Sequence, residues 1–320
     1  MRRVKALLLP SGLHDPWVKD LLEAVDSRHE IAFYKKNALL APQLAGVEIV
    51  IDQGGINSTH EMADLAKVKL WQILGTGFDH FDLEYWREKK IPVANTPGHF
   101  SAVALAECAM MFMLMLARRW RETQENLRQG KFYYPIGAEL GGWRLLLLGF
   151  GASARELARR AAPFGMKISA IDVREIPADE RREFHLEAVG KPADLDDLLP
   201  GCDYLSLHLH LNPETRQIID ARRLGLMKPS GFLINVARGA LVDEEALCAA
   251  LREGRLAGAG LDVFSSEPMD SEAPILKLPN VVATPHISGT TDGTSRNRAA
   301  AVLENMNRIA EGLEPLYRID

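Results

Sequence analysis

Short apolar runs alternate with helical patterns almost from one end of the chain to the other, and this alternation restricts the fold more than any other feature. Runs that are apolar throughout, with no polar alternate face, belong to strands buried on both sides, and such strands need helices above and below a parallel sheet. The first set of strands is predicted at Val4–Leu9, Ile31–Tyr34, Val47–Ile51, Leu70–Leu74 and Ile91–Ala94, with amphipathic helices at Asp15–Asp26 and Ser58–Ala66. The second set is predicted at Leu145–Leu148, Ile168–Ile171, Tyr204–Leu207, Phe232–Val236, Gly258–Leu261 and Val281–Ala283, with Glu244–Leu251 among its helices. Two sheets predict two α/β domains, and a chain of 320 residues that is 47% apolar can give each its own core.

The border is legible in turn chemistry. Asn95-Thr96-Pro97-Gly98 stops the first sheet, and an apolar helix from about Ser101 to Arg119 leads to the second. The predicted division is residues 1–97 together with a final helix in 291–320, against 98–290. That last helix, about Asn297 to Glu311, is expected to return to the first domain. Between Gly130 and Gly142 lie Phe132, Tyr133 and Tyr134 without helical or strand period, with Trp143 following. They fit a loop packed on its own chain or an arm onto a second subunit, and the arm, hence a homodimer, is favoured.

Composition removes several classes of function. Against 38 Lys and Arg stand 43 Asp and Glu, a formal charge of -5, with no basic block suited to a phosphate backbone, so no nucleic-acid partner is expected. Cys108, Cys202 and Cys248 are too few and too scattered for a disulfide framework or a zinc site, and each reads as a small core residue. No metal is expected. The longest apolar stretch, Ala102–Ala117, carries Glu107 and is short for a membrane span, and the basic start lacks a signal peptide's apolar length. A cytoplasmic protein without a membrane partner is the expectation.

Leu145–Leu148 runs into Gly149-Phe150-Gly151-Ala152-Ser153-Ala154 and then into helix-forming residues. Strand, glycine turn and helix start follow in the order of a dinucleotide fingerprint. The first glycine permits the turn, and the second lets backbone N–H groups approach a pyrophosphate at the helix's positive end. Ala154 stands for the third glycine. Asp172 ends the next strand about twenty residues on, where a carboxylate accepts ribose hydroxyls and repels a 2′-phosphate, which predicts NAD. Arg174 is the one neighbour that pulls toward NADP.

Further segments are Leu205-Ser-Leu-His-Leu-His-Leu-Asn-Pro-Glu-Thr-Arg216, Leu233-Ile-Asn-Val-Ala-Arg-Gly-Ala-Leu-Val-Asp243, Gly260-Leu-Asp-Val-Phe-Ser-Ser-Glu-Pro268 and Thr284-Pro-His-Ile-Ser-Gly289. With Gly75-Thr-Gly-Phe-Asp-His-Phe-Asp82 and Asn95-Thr-Pro-Gly98, they make nearly the whole chain resemble the D-isomer-specific 2-hydroxyacid dehydrogenases. The resemblance implies two Rossmann-like or flavodoxin-like parallel-sheet domains with the active site in a cleft between them. It implies a substrate domain in the first part and an NAD-binding domain in the middle. By the same resemblance Arg238 grips the substrate's carboxylate and carbonyl, His286 is the catalytic acid and base, and Glu267 is its carboxylate partner. The chemistry suits the roles: a planar permanent cation holds two oxygens, and a histidine exchanges protons near neutral pH.

The backbone of Gly75, Thr76 and Gly77 is implied to receive the substrate carboxylate, while Ala237 and Asp262 are implied at the cofactor, Asp262 beside the nicotinamide amide. Glu267 argues against a formate dehydrogenase, whose histidine is paired with glutamine. A phosphite dehydrogenase keeps the same three catalytic residues, and a phosphoglycerate dehydrogenase is a further alternative, although many of those carry a regulatory domain and none is expected here. A non-catalytic, NAD-sensing corepressor shares the fold but is expected to carry disordered tails. His99, His208 and His210 are assigned no catalysis and no metal. The side-chain pocket is expected from Gln53 to Ile56, Phe78, Phe100 and His14 or Trp17, and glyoxylate and hydroxypyruvate are the default substrates.

Overall fold

The computed structural model describes residues 2–9, 15–52, 55 and 57–320, without the side chains of Asp15 and Pro16. His14, Gln53, Gly54 and Ile56 of the expected pocket lie outside the described residues. The chain divides into two compact units, Met1–Ser101 with Thr290–Asp320, and Ala102–Gly289.

The first unit is built on strands β1 (Lys5–Leu8), β2 (Glu30–Phe33), β3 (Ile49–Asp52), β4 (Leu70–Ile73) and β5 (Val93–Ala94). Their order is β2-β1-β3-β4-β5, every neighbouring pair parallel, which is the flavodoxin-like arrangement. Strand residues alternate between two cores. Ala6, Leu8, Ile49, Ile51 and Leu70 face the helices Asp15–Val25 and Asp292–Glu311, while Leu7, Val50, Trp71 and Ile73 pack with Met62, Phe81 and Trp86. That two-sided burial is why β1, β3 and β4 read as mainly apolar runs, whereas the edge strand β2 is partly exposed.

Helix Asp292–Glu311 runs opposite to the strands. Near its start Asn297 Nδ2 donates to Phe100 O, beyond β5, at 3.2 Å, and near its end Arg2 Nη2 donates to Ile309 O, ahead of β1, at 3.0 Å. Its first turns therefore lie at the carboxyl ends of the strands. It begins five residues before the expected Asn297, because the Thr291 side chain caps it by accepting the Thr294 N–H and Asp292 favours the positive end. A Gly/Thr-rich stretch hid that cap in the sequence.

The second unit has β6 (Arg144–Leu148), β7 (Lys167–Ile171), β8 (Leu186–Gly190), β9 (Tyr204–Leu207), β10 (Phe232–Asn235), β11 (Gly258–Leu261) and β12 (Val281–Ala283). The order is β12-β11-β10-β9-β6-β7-β8, all parallel, a doubly wound sheet whose direction of winding reverses between β6 and β9. β8 was missed because an edge strand reading Leu-Glu-Ala-Val-Gly is half exposed and lacks an apolar run. The helices Leu40–Leu44 and Leu83–Glu88 were missed as well; each is under two turns long, too short to show a period.

The apolar helix Ala102–Ala117 is a core element, as its composition requires. It lies so close to the sheet that a Cβ at Gly260 would come within 2.5 Å of Phe112 Cβ. Among the described residues no helix is long and apolar enough to cross a membrane.

In the first unit the segment after the last helix is tied down by one buried amide. Asn305 Nδ2 donates to Gln72 Oε1 at 2.7 Å and to Leu316 O at 3.3 Å, and its Oδ1 accepts the Leu316 N–H at 2.7 Å. Asn305→Leu strands the Gln72 oxygen and the Leu316 N–H away from water. A loss of about 2–4 kcal/mol in unfolding free energy is expected from urea titration.

Candidate active site

The turn after β6 is shaped by what glycine alone allows. Gly149 sits at φ +87°, and a Cβ there would lie 2.7 Å from the His208 carbonyl oxygen. Gly151 then precedes helix Ala152–Ala161 without any side-chain cap, and a Cβ on it would meet no atom within 4 Å. The helix thus opens without a side-chain cap, beside clear space at Gly151. Ala154, at the third fingerprint position, is fully buried in the helix-to-sheet packing.

Behind this turn, Ser153 Oγ meets His208 Nδ1 at 2.9 Å and Ser206 Oγ meets its Nε2 at 2.9 Å. Burial pulls the His208 pKa down to about 3, so the ring is neutral and braces the first helical turn. His210, expected on the same face, is exposed.

Asp172 lies just past β7. Its Oδ2 accepts the Phe150 N–H at 2.7 Å and its Oδ1 the Arg174 N–H at 2.9 Å, which aims the carboxylate at the rim of the turn. The Phe150 ring is core, edge-on to Phe184. Arg174, the residue that pulled toward NADP, is held by Glu180 at 2.8 and 3.2 Å and by Phe150 O at 3.0 Å. Glu180 also pairs with Arg155 at 3.0 Å. An uncapped helix start, a glycine turn with clear space above it and an anchored acid fit a dinucleotide: pyrophosphate on the N–H groups, ribose hydroxyls on Asp172.

Three neighbouring strands of the same sheet carry the remaining residues just past their carboxyl ends. After β10, Asn235 brackets the turn, its Oδ1 accepting the Ala237 N–H at 3.1 Å and its Nδ2 donating to Arg238 O at 2.9 Å. Arg238 Nη1 donates to Ala237 O at 2.7 Å. Gly239 follows with a Cβ position 1.9 Å from the Phe264 carbonyl carbon, so this turn lies directly on the one after β11. Neither Asn235 nor Gly239 was anticipated, and only the Asn-Val-Ala-Arg-Gly spacing hinted at them.

After β11, Glu267 Oε1 accepts the Phe264 N–H at 2.9 Å, leaving Oε2 2.6 Å from His286 Nδ1. Burial raises the Glu267 pKa, but the bonds from His286 and Phe264 and the charges of His286 and Arg238 outweigh it and hold the carboxyl below its usual range. An ionised carboxylate only accepts, so Nδ1 carries a hydrogen. His286 itself is exposed, with its other ring nitrogen available for a reacting oxygen.

His286 has the positive φ of 54°, a conformation that must be held by its surroundings. Asp262 does the holding. Its backbone oxygen accepts the His286 N–H at 2.8 Å, and its carboxylate accepts Thr284 Oγ1 at 2.6 Å and the N–H groups of Ile287 and Ser288 at 2.8 Å each. Expected beside the nicotinamide amide, Asp262 has no exposed surface here, and its visible work is to fix this loop.

Gly75, Thr76 and Gly77 follow β4 in the five-stranded unit. Asn95 Nδ2 donates to Thr76 O at 2.8 Å and the Thr96 N–H to Gly75 O at 3.3 Å, so the Asn95-Thr96 turn shapes this loop. The Thr76 hydroxyl is buried without a hydrogen-bond partner. The His99 and Phe100 rings lie tilted against each other, Phe100 meets Tyr317 edge-on, and Trp17 lies under Arg298. The cysteines are free thiols, and burial pushes Cys108 and Cys202 up to about 12, which leaves them unreactive. Among the described residues no cluster of His, Cys, Asp or Glu could hold a metal ion.

The family model for the D-isomer specific 2-hydroxyacid dehydrogenase, NAD binding domain, matches residues 110–288. The chain is 35% identical over 302 residues to a hydroxypyruvate reductase of Thermotoga maritima, covering 92% of this chain and 96% of that protein. It is 32% identical over 309 residues to a D-3-phosphoglycerate dehydrogenase of Methanocaldococcus jannaschii, covering 96% of this chain but only 57% of that longer protein. Among solved structures, a glyoxylate reductase from Paecilomyes thermophila superposes with a TM-score of 0.82 at 29% identity, covering 100% of this chain and 99% of that one.

The contact between the turns after β10 and β11 can be tested directly. Gly239→Ala must push the Phe264 backbone aside and is expected to cost roughly 1–3 kcal/mol in urea titration. Gly225→Ala, in a helix and with nothing within 4 Å of the added carbon, is expected to be neutral or slightly stabilising in the same measurement.

Proposed function

The chain belongs to the D-isomer specific 2-hydroxyacid dehydrogenase family, and from that premise we propose that it interconverts a small 2-keto acid and its D-2-hydroxy acid. It is an NAD-dependent oxidoreductase. The observation that carries the proposal is the 2.6 Å contact between Glu267 Oε2 and His286 Nδ1, with the carboxylate held ionised. In the reducing direction the protonated imidazole delivers its proton to the substrate's carbonyl oxygen, and in the oxidising direction the neutral ring takes the proton from the hydroxyl. Arg238 holds the substrate carboxylate and carbonyl with a planar cation whose backbone is fixed by Asn235. By the family resemblance, the N–H groups of Gly75, Thr76 and Gly77 would receive a substrate carboxylate.

NAD, when bound, supplies or accepts the hydride. Its pyrophosphate would rest on Gly149, Phe150, Gly151, Ala152 and Ser153, its ribose hydroxyls on Asp172 and its nicotinamide beside Ala237, while the buried Asp262 would act there through the loop it holds. Glyoxylate and hydroxypyruvate are the default substrates, in keeping with the names of two of the relatives. The phosphoglycerate dehydrogenase name supports a second reading in which the acid carries a further anionic group. A homodimer is proposed from the exposed Phe132, Tyr133, Tyr134 and Ile136 of an arm without regular structure. The free thiols favour a cytoplasmic setting.

Purified protein is expected to oxidise NADH with these keto acids, and Glu267→Gln tests the paired groups. The carboxylate favours the protonated ring, so removing its charge makes the proton easier to lose. Reduction should therefore fail at lower pH than in wild type, and oxidation should begin at lower pH. With a deuteride isotope effect showing that hydride transfer limits the rate, an unmoved or upward-shifted reduction limb would refute the pairing.

Cofactor choice gives a separate test. Wild type is expected to prefer NADH strongly, because Asp172 repels a 2′-phosphate and Arg174 is engaged by Glu180. Asp172→Ser combined with Val173→Arg should raise NADPH efficiency at the expense of NADH. Equal use of the two cofactors by wild type would remove Asp172 from the ribose site.

A further inference from the structure

One cation of the five-stranded unit has no charge to answer it among the described residues. Arg298 lies in the second turn of helix Asp292–Glu311, its guanidinium 4.8 Å from the centre of the Trp17 ring. Its Nε is sealed from solvent and makes no hydrogen bond, and no carboxylate among the described residues acts on it. Ser295, three residues earlier and so on the same helix face, is 4% exposed, and its hydroxyl also lacks a partner. Burial lowers the Arg298 pKa to about 10, which leaves it fully charged at neutral pH. An aromatic face returns only part of what a cation loses on leaving water, and an orphaned hydroxyl beside it adds to the deficit.

Position says what could settle the account. The first turns of this helix lie at the carboxyl ends of the strands, as the Asn297 bond to Phe100 O fixes, and Trp17 is on the helix that follows β1. Gly75–Gly77 leave β4 at that same edge, and a Cβ on Gly98 would lie 3.7 Å from Thr76 Cγ2, so the Gly98–Phe100 turn adjoins the loop. In parallel α/β sheets ligands bind at this edge. The charge and the hydroxyl fit a multi-oxygen anion separate from the carboxylate that the glycine loop is read to take.

We propose that Arg298 and Ser295 receive a second anionic group of the substrate, so that the preferred substrate is a 2-keto acid bearing a sulfonate, phosphate or carboxylate at its far end. This rests on the chain's being a 2-keto acid reductase and narrows its substrate class. Trp17 stacks on the guanidinium and keeps it aimed, which makes it a positioning residue.

The test uses wild-type protein and NADH with glyoxylate and hydroxypyruvate as single anions, and oxaloacetate, sulfopyruvate and 3-phosphohydroxypyruvate as double ones, the three distinguishing carboxylate, sulfonate and phosphate. At least one double anion is expected to exceed hydroxypyruvate in kcat/KM by about tenfold or more, the low end of what a charged hydrogen bond is worth. Arg298→Gln should lower the ratio of that kcat/KM to the glyoxylate value by about tenfold or more, chiefly through KM, and Arg298→Lys should restore part of it. Should Arg298→Gln not fold, wild type still decides the matter. Sulfoacetate should inhibit glyoxylate reduction with a Ki about tenfold or more below that of acetate.

Glyoxylate reduced with no preference for any double anion, or a ratio unmoved in Arg298→Gln, overturns the second-anion site and leaves the dehydrogenase reading standing. NADH consumed with no 2-keto acid at all overturns both.

Discussion

A parallel strand buried on both faces cannot display a polar side chain, and every other feature of the candidate site depends on this constraint. Leu145–Leu148, Tyr204–Leu207, Phe232–Asn235, Gly258–Leu261 and Val281–Ala283 are almost wholly buried, so the chain's chemistry begins where the strands end. Parallel direction then brings those ends to one edge. Gly149, Ala237–Arg238, Asp262 and His286 are each within a few residues of a strand's last position because no other place on the sheet could hold them. The order in which the strands lie, β11 between β10 and β12, is what makes Glu267 a neighbour of both Arg238 and His286.

Placement at a strand end is not yet positioning. The three turns are made rigid by backbone contacts too close for side chains and by polar groups turned inward. Gly239 lets one turn rest on the Phe264 backbone, Asn235 closes that turn from below, and Asp262 holds His286 in a backbone conformation that a histidine seldom adopts. Asp262 spends three carboxylate hydrogen bonds and a backbone one on this loop, and its burial is tolerable because those N–H and O–H groups replace water. Arg298 is the contrasting case: sealed at Nε, charged, and without such replacement among the described residues.

What the sequence disclosed follows the same physics. Fully buried strands stood out as apolar runs, and the residues just beyond them, from Gly149 to His286, were legible because a motif at a strand end is short and local. β8 was invisible because an edge strand needs no apolar face, and the true start of the last helix was hidden because Thr291 and Asp292 look like loop residues until their hydrogen bonds are seen. Gly239 could be seen as a glycine but not as the point where two turns touch, since Phe264 is 25 residues away in the chain. The partners of Asp262 were likewise out of reach, because they depend on how Thr284–Ser288 folds back over it.

The rim of the cofactor turn shows how a neighbour two elements away can settle a question that the local motif leaves open. Asp172 and Arg174, two residues apart, argue for opposite cofactors when read as sequence. Glu180, from the helix Ala178–Glu183, resolves the conflict by binding Arg174 through two oxygens while Phe150 O takes a third contact. A 2′-phosphate would have to win that guanidinium away from a partner already in place and do so beside the Asp172 charge. Both effects oppose it, whereas ribose hydroxyls would need only the carboxylate, so the proposed preference for NAD rests on this ion pair as well as on Asp172.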